Sequence, residues 1–346
     1  MPRLIPTARR RHAGFSLVEL MVSMAIGLVL IAGLATLYAN SSYSGTELSK
    51  SIQQVENGRY AADLLSEDLA MAGYYGDLSS SGLSYAGGAV CDTSTTAMGW
   101  DTATLKAPVA ITGLSAAEAA ALEATCLSNY KAGTEALVIR RLDPTPVTPG
   151  AASNGGVYLQ TSNCASDPVA TPFVLSLAST DFTLQNKDCS APNVVRRFLT
   201  RVYYVARCDD CPNDSIPTLK RAELNGSAMT VVPIAEGIDN IGFEYGFDTD
   251  GDGAPDGFQS GLNPPAPLGT GSAATNDWNN VVGVRVHLLS RSTAATAGFT
   301  DSKTYDFGLA NATAGVPLGP FNDAFKRRAY AVTARLNNVA GRREKP

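Results

Sequence analysis

The chain has 346 residues and a net charge of −5, long enough for one sizeable core or two small domains. Hydrophobic residues make up 45% and charged residues 17%, which excludes a disordered polyelectrolyte, and the acidic balance gives no case for nucleic acid. The six cysteines, Cys91, Cys126, Cys164, Cys189, Cys208 and Cys211, are even in number, which suits an oxidising compartment; fifteen pairings are open to them.

The N-terminus is the most informative stretch. Arg9, Arg10, Arg11 and His12 precede an apolar run from Phe15 to Tyr38, whose only ionisable side chain before the tyrosine is Glu19. The run is long enough to cross a hydrocarbon core of roughly 30 Å as a helix. The arginines should stay cytoplasmic, which places everything after Tyr38 on the far side. A secretory signal has its small-residue cleavage site after the apolar region. Here the small residue, Gly14, stands before it. Cleavage after Gly14 would remove the basic leader, keep the span and leave a free amino group on Phe15. Glu19 costs about 2.5–3.5 kcal/mol inside a membrane helix, so it needs a partner. The Phe15 amino group of a neighbouring subunit is a natural counter-charge that forms only on assembly. The plainer alternative is a signal anchor that tolerates a carboxylate.

The string Gly14-Phe15-Ser16-Leu17-Val18-Glu19-Leu20-Met21 resembles the processing site of type IV prepilins. The resemblance implies a prepilin peptidase that cuts after Gly14 and methylates the new amino group of Phe15. It also implies that Glu19 acts in subunit assembly. It covers pilins, minor pilins and secretion pseudopilins alike. No proline stands between Pro6 and Pro108, whereas many major pilins carry one in the membrane half, so a less kinked helix is expected.

Past Tyr38 the pattern turns periodic. Leu48, Ile52, Val55, Ala61, Leu64, Leu65, Leu69 and Ala72 recur at helical steps, with Lys50, Gln53, Glu56, Asn57, Arg59, Asp63 and Asp68 in the gaps. That predicts an amphipathic continuation of the same helix, ending near Gly73 and Gly76. The expected organisation is a leader over 1–14, a long helix over 15–75 with its membrane half at 15–38, and a globular domain over 76–346.

In that domain, Ser115 and Glu118 have capping-box spacing and open a short helix predicted to run through Leu127. Strand patterns follow at Ala136–Leu142, Pro172–Leu177, Arg196–Arg207, Thr218–Leu224, Ile238–Phe247, Val281–Ser290 and Arg327–Leu336. Asn225-Gly226 is a hairpin signal. The fold class expected is α+β, a long helix packed on a mainly antiparallel sheet. Residues 57–76, 237–256, 284–291 and 329–337 are similar to segments of PilW-type minor pilins. That resemblance implies a protein that helps start pilus assembly at the inner membrane. It implies a periplasmic domain and a final place at the extracellular pilus tip. The implied partners are other minor pilins, the major pilin, a tip adhesin and the inner-membrane assembly platform. The plan is also similar to the J-type pseudopilin of type II secretion.

Asp248, Asp250 and Asp252 alternate at loop positions one, three and five, with Gly253 at six, the Ala254 carbonyl at seven and Asp256 at nine. This is the oxygen spacing of a calcium loop. Gln259 stands where the bidentate glutamate belongs and a strand precedes the loop, so it is no EF-hand. A structural Ca²⁺ is expected; the alternative is an acidic turn that solubilises a hairpin. Cys208 and Cys211 form a CxxC, but the aspartates between them would raise thiol pKa values. Structural disulfides are expected, with a membrane-anchored thiol oxidoreductase as the alternative. No nucleophile elbow, phosphate loop or metalloprotease motif is present, and neither an enzyme nor an organic cofactor is expected.

Overall fold

The computed structural model describes residues 14–78, 82–152, 156–168, 171–226, 228–260, 278–310 and 316–344. The basic leader before Gly14 lies outside them. The chain divides into two compact units between Ser51 and Ile52.

Helix α1 runs Leu17–Ala70 without a break, about 80 Å at the standard rise. Apolar and proline-free, its first half has nothing to interrupt the backbone ladder. In the first unit every large apolar side chain from Phe15 to Tyr38 is exposed. Among the described residues it is the one helix long and apolar enough to cross a membrane.

In the second unit the last turns of α1 bury Gln54, Gly58, Ala61, Ala62, Leu65, Asp68 and Leu69. The buried stripe differs from the expected one at both ends. Leu48 and Ile52 are exposed, while Asp68, expected on the polar face, is 5% exposed. The reason is a close approach of helix to sheet that small residues permit and arginines from the sheet neutralise. After Ala70 the backbone turns through Gly73 at φ +71°, and the Gly73 amide donates to the Arg140 carbonyl.

Strands β1 (Ser84–Ala86) and β2 (Lys106–Pro108) pair in parallel; β3 (Ile111–Leu114) precedes α2 (Ala116–Ala121). The Ser115–Glu118 capping box of α2 is complete, but the helix stops at Ala121, and turns carry the chain to Leu127. Next come β4 (Ala136–Leu142), β5 (Tyr158–Thr161), β6 (Phe173–Ser176), β7 (Val195–Ala206), β8 (Thr218–Asn225) and β9 (Ala228–Glu236). With β3 they form a seven-stranded sheet around β7, which pairs with β4, β5 and β8. Asn225 and Ala228 close the β8–β9 hairpin over Gly226 at φ +67°. A second, four-stranded antiparallel sheet has the order β11-β10-β12-β13, from β10 (Ile238–Phe247), β11 (Gly257–Ser260), β12 (Val281–Arg291) and β13 (Arg327–Arg335). Helix α3 (Asn337–Arg343) follows.

One core joins these parts: Ala61, Leu65 and Leu69 of α1 share it with Leu137, Ile139 and Tyr203 of one sheet and Phe243, Val284 and Val286 of the other. The fold is α+β, as expected. Disulfides join Cys91 to Cys126, Cys164 to Cys189 and Cys208 to Cys211, with Cα separations of 5.8, 5.2 and 5.3 Å.

Candidate functional site

The N-terminal segment is exposed from Gly14 through Glu19. A Cβ on Gly14 would meet nothing within 4 Å, so no packing demands glycine there. Ser16 caps α1: its hydroxyl accepts from the Glu19 amide at 3.1 Å, and the Glu19 carboxylate accepts from the Ser16 amide at 3.0 Å. This is a reciprocal capping box that satisfies two otherwise unpaired donors. The Ser16-x-x-Glu19 spacing carries the signal, but it was masked by reading Glu19 only as a membrane charge. Glu19 thus lies in the first helical turn, where a carboxylate also meets the positive end of the helix dipole.

The acidic loop joins β10 to β11. One carboxylate oxygen each of Asp248, Asp250 and Asp256 falls within 4.8 Å of the others; Asp252 is not in this group. Local turns shape the loop. The Asp256 carboxylate accepts from the Thr249 amide and hydroxyl, both at 2.6 Å, and Asp252 accepts from the Ala254 amide at 2.7 Å. Asp248 is fully buried. Its carboxylate accepts from the amides of Gly251 and Gly253 and from Arg343 Nε at 2.7 Å. The residue at loop position one is therefore engaged by protein donors, not turned toward an open cavity.

The paired cysteines leave no free thiol among the described residues. Cys208–Cys211 closes a tight loop after β7, and Asp214 accepts from the Asp209 and Asp210 amides within it at 2.9 and 2.7 Å. His287 lies in β12. Its Nε2 is 3.0 Å from Glu244 Oε1, and its ring stacks on Phe307. Burial holds the imidazole pKa below its ordinary value despite Glu244.

The sequence did not disclose the buried charge at the helix–sheet junction. Asp68 Oδ1 accepts from Arg141 Nε at 2.7 Å and Arg201 Nη1 at 2.8 Å, and Oδ2 accepts from the Tyr203 hydroxyl at 2.8 Å. Glu223 then accepts from Arg201 Nε at 2.8 Å. These partners lie 73 to 135 residues from Asp68, so no local spacing marks them.

Residues 9–35 match the prokaryotic N-terminal methylation motif, and residues 202–338 match the Type IV Pilus-assembly protein W (PilW) family. The second match spans from β7 into α3 and includes the acidic loop. No curated protein matches the chain by sequence. Among solved structures, a type IV-like pilin from Thermus thermophilus aligns at 12% identity with a TM-score of 0.34, over 82% of this chain and 97% of that one. The methylation motif at the head of a long apolar helix, on an antiparallel sheet domain, defines a type IV pilin-like protein, anchored in the membrane by that helix. Within that class, the part of the domain from β7 into α3 is similar to the PilW family.

Proposed function

We propose that the protein is a minor pilin that helps initiate type IV pilus assembly and packs at or near the tip with other minor pilins. The observation that carries the reading is the PilW match over residues 202–338 behind a methylation motif over residues 9–35. In this reading prepilin peptidase cuts after Gly14 and methylates Phe15. Glu19 then leaves its cap on Ser16 to meet the amino group of a neighbouring subunit. The work is binding, not catalysis: the exposed apolar half of α1 packs in the membrane and then in the filament core. The sheet domain, periplasmic and disulfide-bonded, meets other minor pilins, the major pilin and a tip adhesin above the assembly platform.

The test is genetic and structural together. A strain lacking the gene should lose most surface pili by electron microscopy. The wild-type gene should restore them, and Glu19→Val should not, although that variant still inserts in the membrane. Normal piliation with a lost secretion phenotype would move the protein to the pseudopilus of type II secretion. Normal piliation and normal secretion would overturn both.

A further inference from the structure

The acidic loop has the spacing of a calcium loop, yet the cation at its first aspartate is an arginine from the other end of the domain. Arg343 lies 95 residues away from Asp248 in sequence. All three guanidinium nitrogens are used. Nε donates to Asp248 Oδ2 at 2.7 Å, Nη2 to the Asp248 carbonyl at 3.0 Å, and Nη1 to Asn280 Oδ1 at 2.7 Å. Asn280 is itself fixed, because its carbonyl accepts the Asp248 amide at 3.0 Å. A planar guanidinium satisfied on three sides by a carboxylate, a carbonyl and an amide oxygen sits in a built site.

The rest of α3 is shaped to the same end. A Cβ on Gly253 would stand 2.9 Å from the Ala340 carbonyl and still closer to the Glu344 side chain. Glycine at loop position six is therefore what lets α3 approach. Arg335 Nη2 donates to the Gly253 carbonyl at 3.3 Å. On its other side α3 reaches the end of α1: Arg342 Nη1 donates to the Gly73 carbonyl at 2.9 Å and Asn338 to the Ala72 carbonyl at 3.3 Å. Val339 and Ala340 are buried between these contacts.

We propose that Arg343 is the resident cation of the acidic loop, occupying Asp248 in place of a metal ion, so that α3 clasps the end of α1 to the loop without calcium. A loop aspartate with both carboxylate oxygens and its carbonyl taken by protein donors offers Ca²⁺ only what remains after Arg343 leaves. Ca²⁺ and α3 thus compete for the same residue. The clasp does not depend on what the chain assembles with.

The experiment is a thermal melt of the full chain in detergent, in millimolar CaCl₂ and in EDTA, for the wild type and for Arg343→Gln. The wild type should melt at the same temperature in both. Arg343→Gln should melt several degrees lower in EDTA and recover part of that loss in Ca²⁺. A wild type that is stabilised by Ca²⁺ overturns the proposal, and this arm needs no variant to fold. An Arg343→Gln chain that melts like the wild type, or that melts lower but stays blind to Ca²⁺, overturns it equally.

Discussion

Arg201 of β7 donates to Asp68 of α1 at 2.8 Å, across 133 residues of sequence, and so ties the last turn of the long helix to the central strand of the larger sheet. Asp68 and Arg201 are 4% and 15% exposed at their side chains, and Arg141 closes the pair from the other side at 11%. Removing one member of a buried pair leaves the other charge uncompensated, at about 3–5 kcal/mol. Asp68→Ala should therefore lower unfolding stability by about that amount, read from urea denaturation in detergent. Asp68→Asn, which keeps acceptor capacity for Tyr203, should cost less. A loss below about 1 kcal/mol for Asp68→Ala would show that the junction is held by apolar contacts alone.

Gly58 lies inside α1, where glycine costs about 1 kcal/mol relative to alanine. Its place is explained by Tyr330 of β13, whose ring would stand 2.7 Å from an added Cβ at Cζ and closer at Cε2. Gly58→Val should destabilise the domain by displacing that ring, and Tyr330→Leu in the same chain should recover part of the loss. A double-mutant cycle in melting temperature checks it; simple additivity would mean the two do not couple.

Much of the sheet was legible in the sequence, and where it was not the reasons are physical. β4 and β10 fall on their expected bounds because both are rich in large apolar residues and buried along most of their length. β9 was missed: it carries Pro233, pairs only with β8, and is exposed at alternate positions along much of its length. An edge strand can carry proline and polar residues that a central strand cannot. β1, β2, β3 and β5 have three or four residues each, too short for a period to show. Asp68 was placed outward on polarity alone. Gln54, a polar residue that the helical stripe did not include, is buried, its amide donating to the carbonyls of Ser290 and Lys326, both at 3.0 Å. The loop aspartates were legible as a cluster, but not the arginine that meets Asp248, because nothing local to residue 343 announces it.

Glu135 at the edge of β4 gives the domain a pH dependence. One carboxylate oxygen accepts from the Phe243 amide at 2.7 Å, and the other has no hydrogen-bond partner among the described residues. Burial pushes its pKa up to about 8 from an ordinary 4.5, against the Phe243 hydrogen bond. The folded state thus holds a proton that the unfolded chain releases. The associated stability is complete below the unfolded pKa and is lost as pH rises through the folded one. Urea midpoints should fall between about pH 5 and pH 8.5, and Glu135→Gln should flatten that slope. A slope unchanged by the substitution would assign it to other groups.

The capping box at Ser16 should be visible without assembly. Ser16→Ala removes the acceptor for the Glu19 amide and should cost the first turn of α1 about 1 kcal/mol. Hydrogen exchange at the Glu19 amide in detergent micelles should speed up about fivefold for that loss. Unchanged protection would mean that the hydroxyl does not hold the amide.

The account stands most directly on the N-terminus. Mass spectrometry of the N-terminal peptide, from cells with and without prepilin peptidase, reads it in one measurement. Cells with the peptidase should yield a chain that begins at N-methylated Phe15, and cells without it a chain that retains Gly14 and the leader. A chain that keeps its leader in peptidase-positive cells, or is cut on the far side of the apolar run, would contradict the assignment to the type IV pilin class.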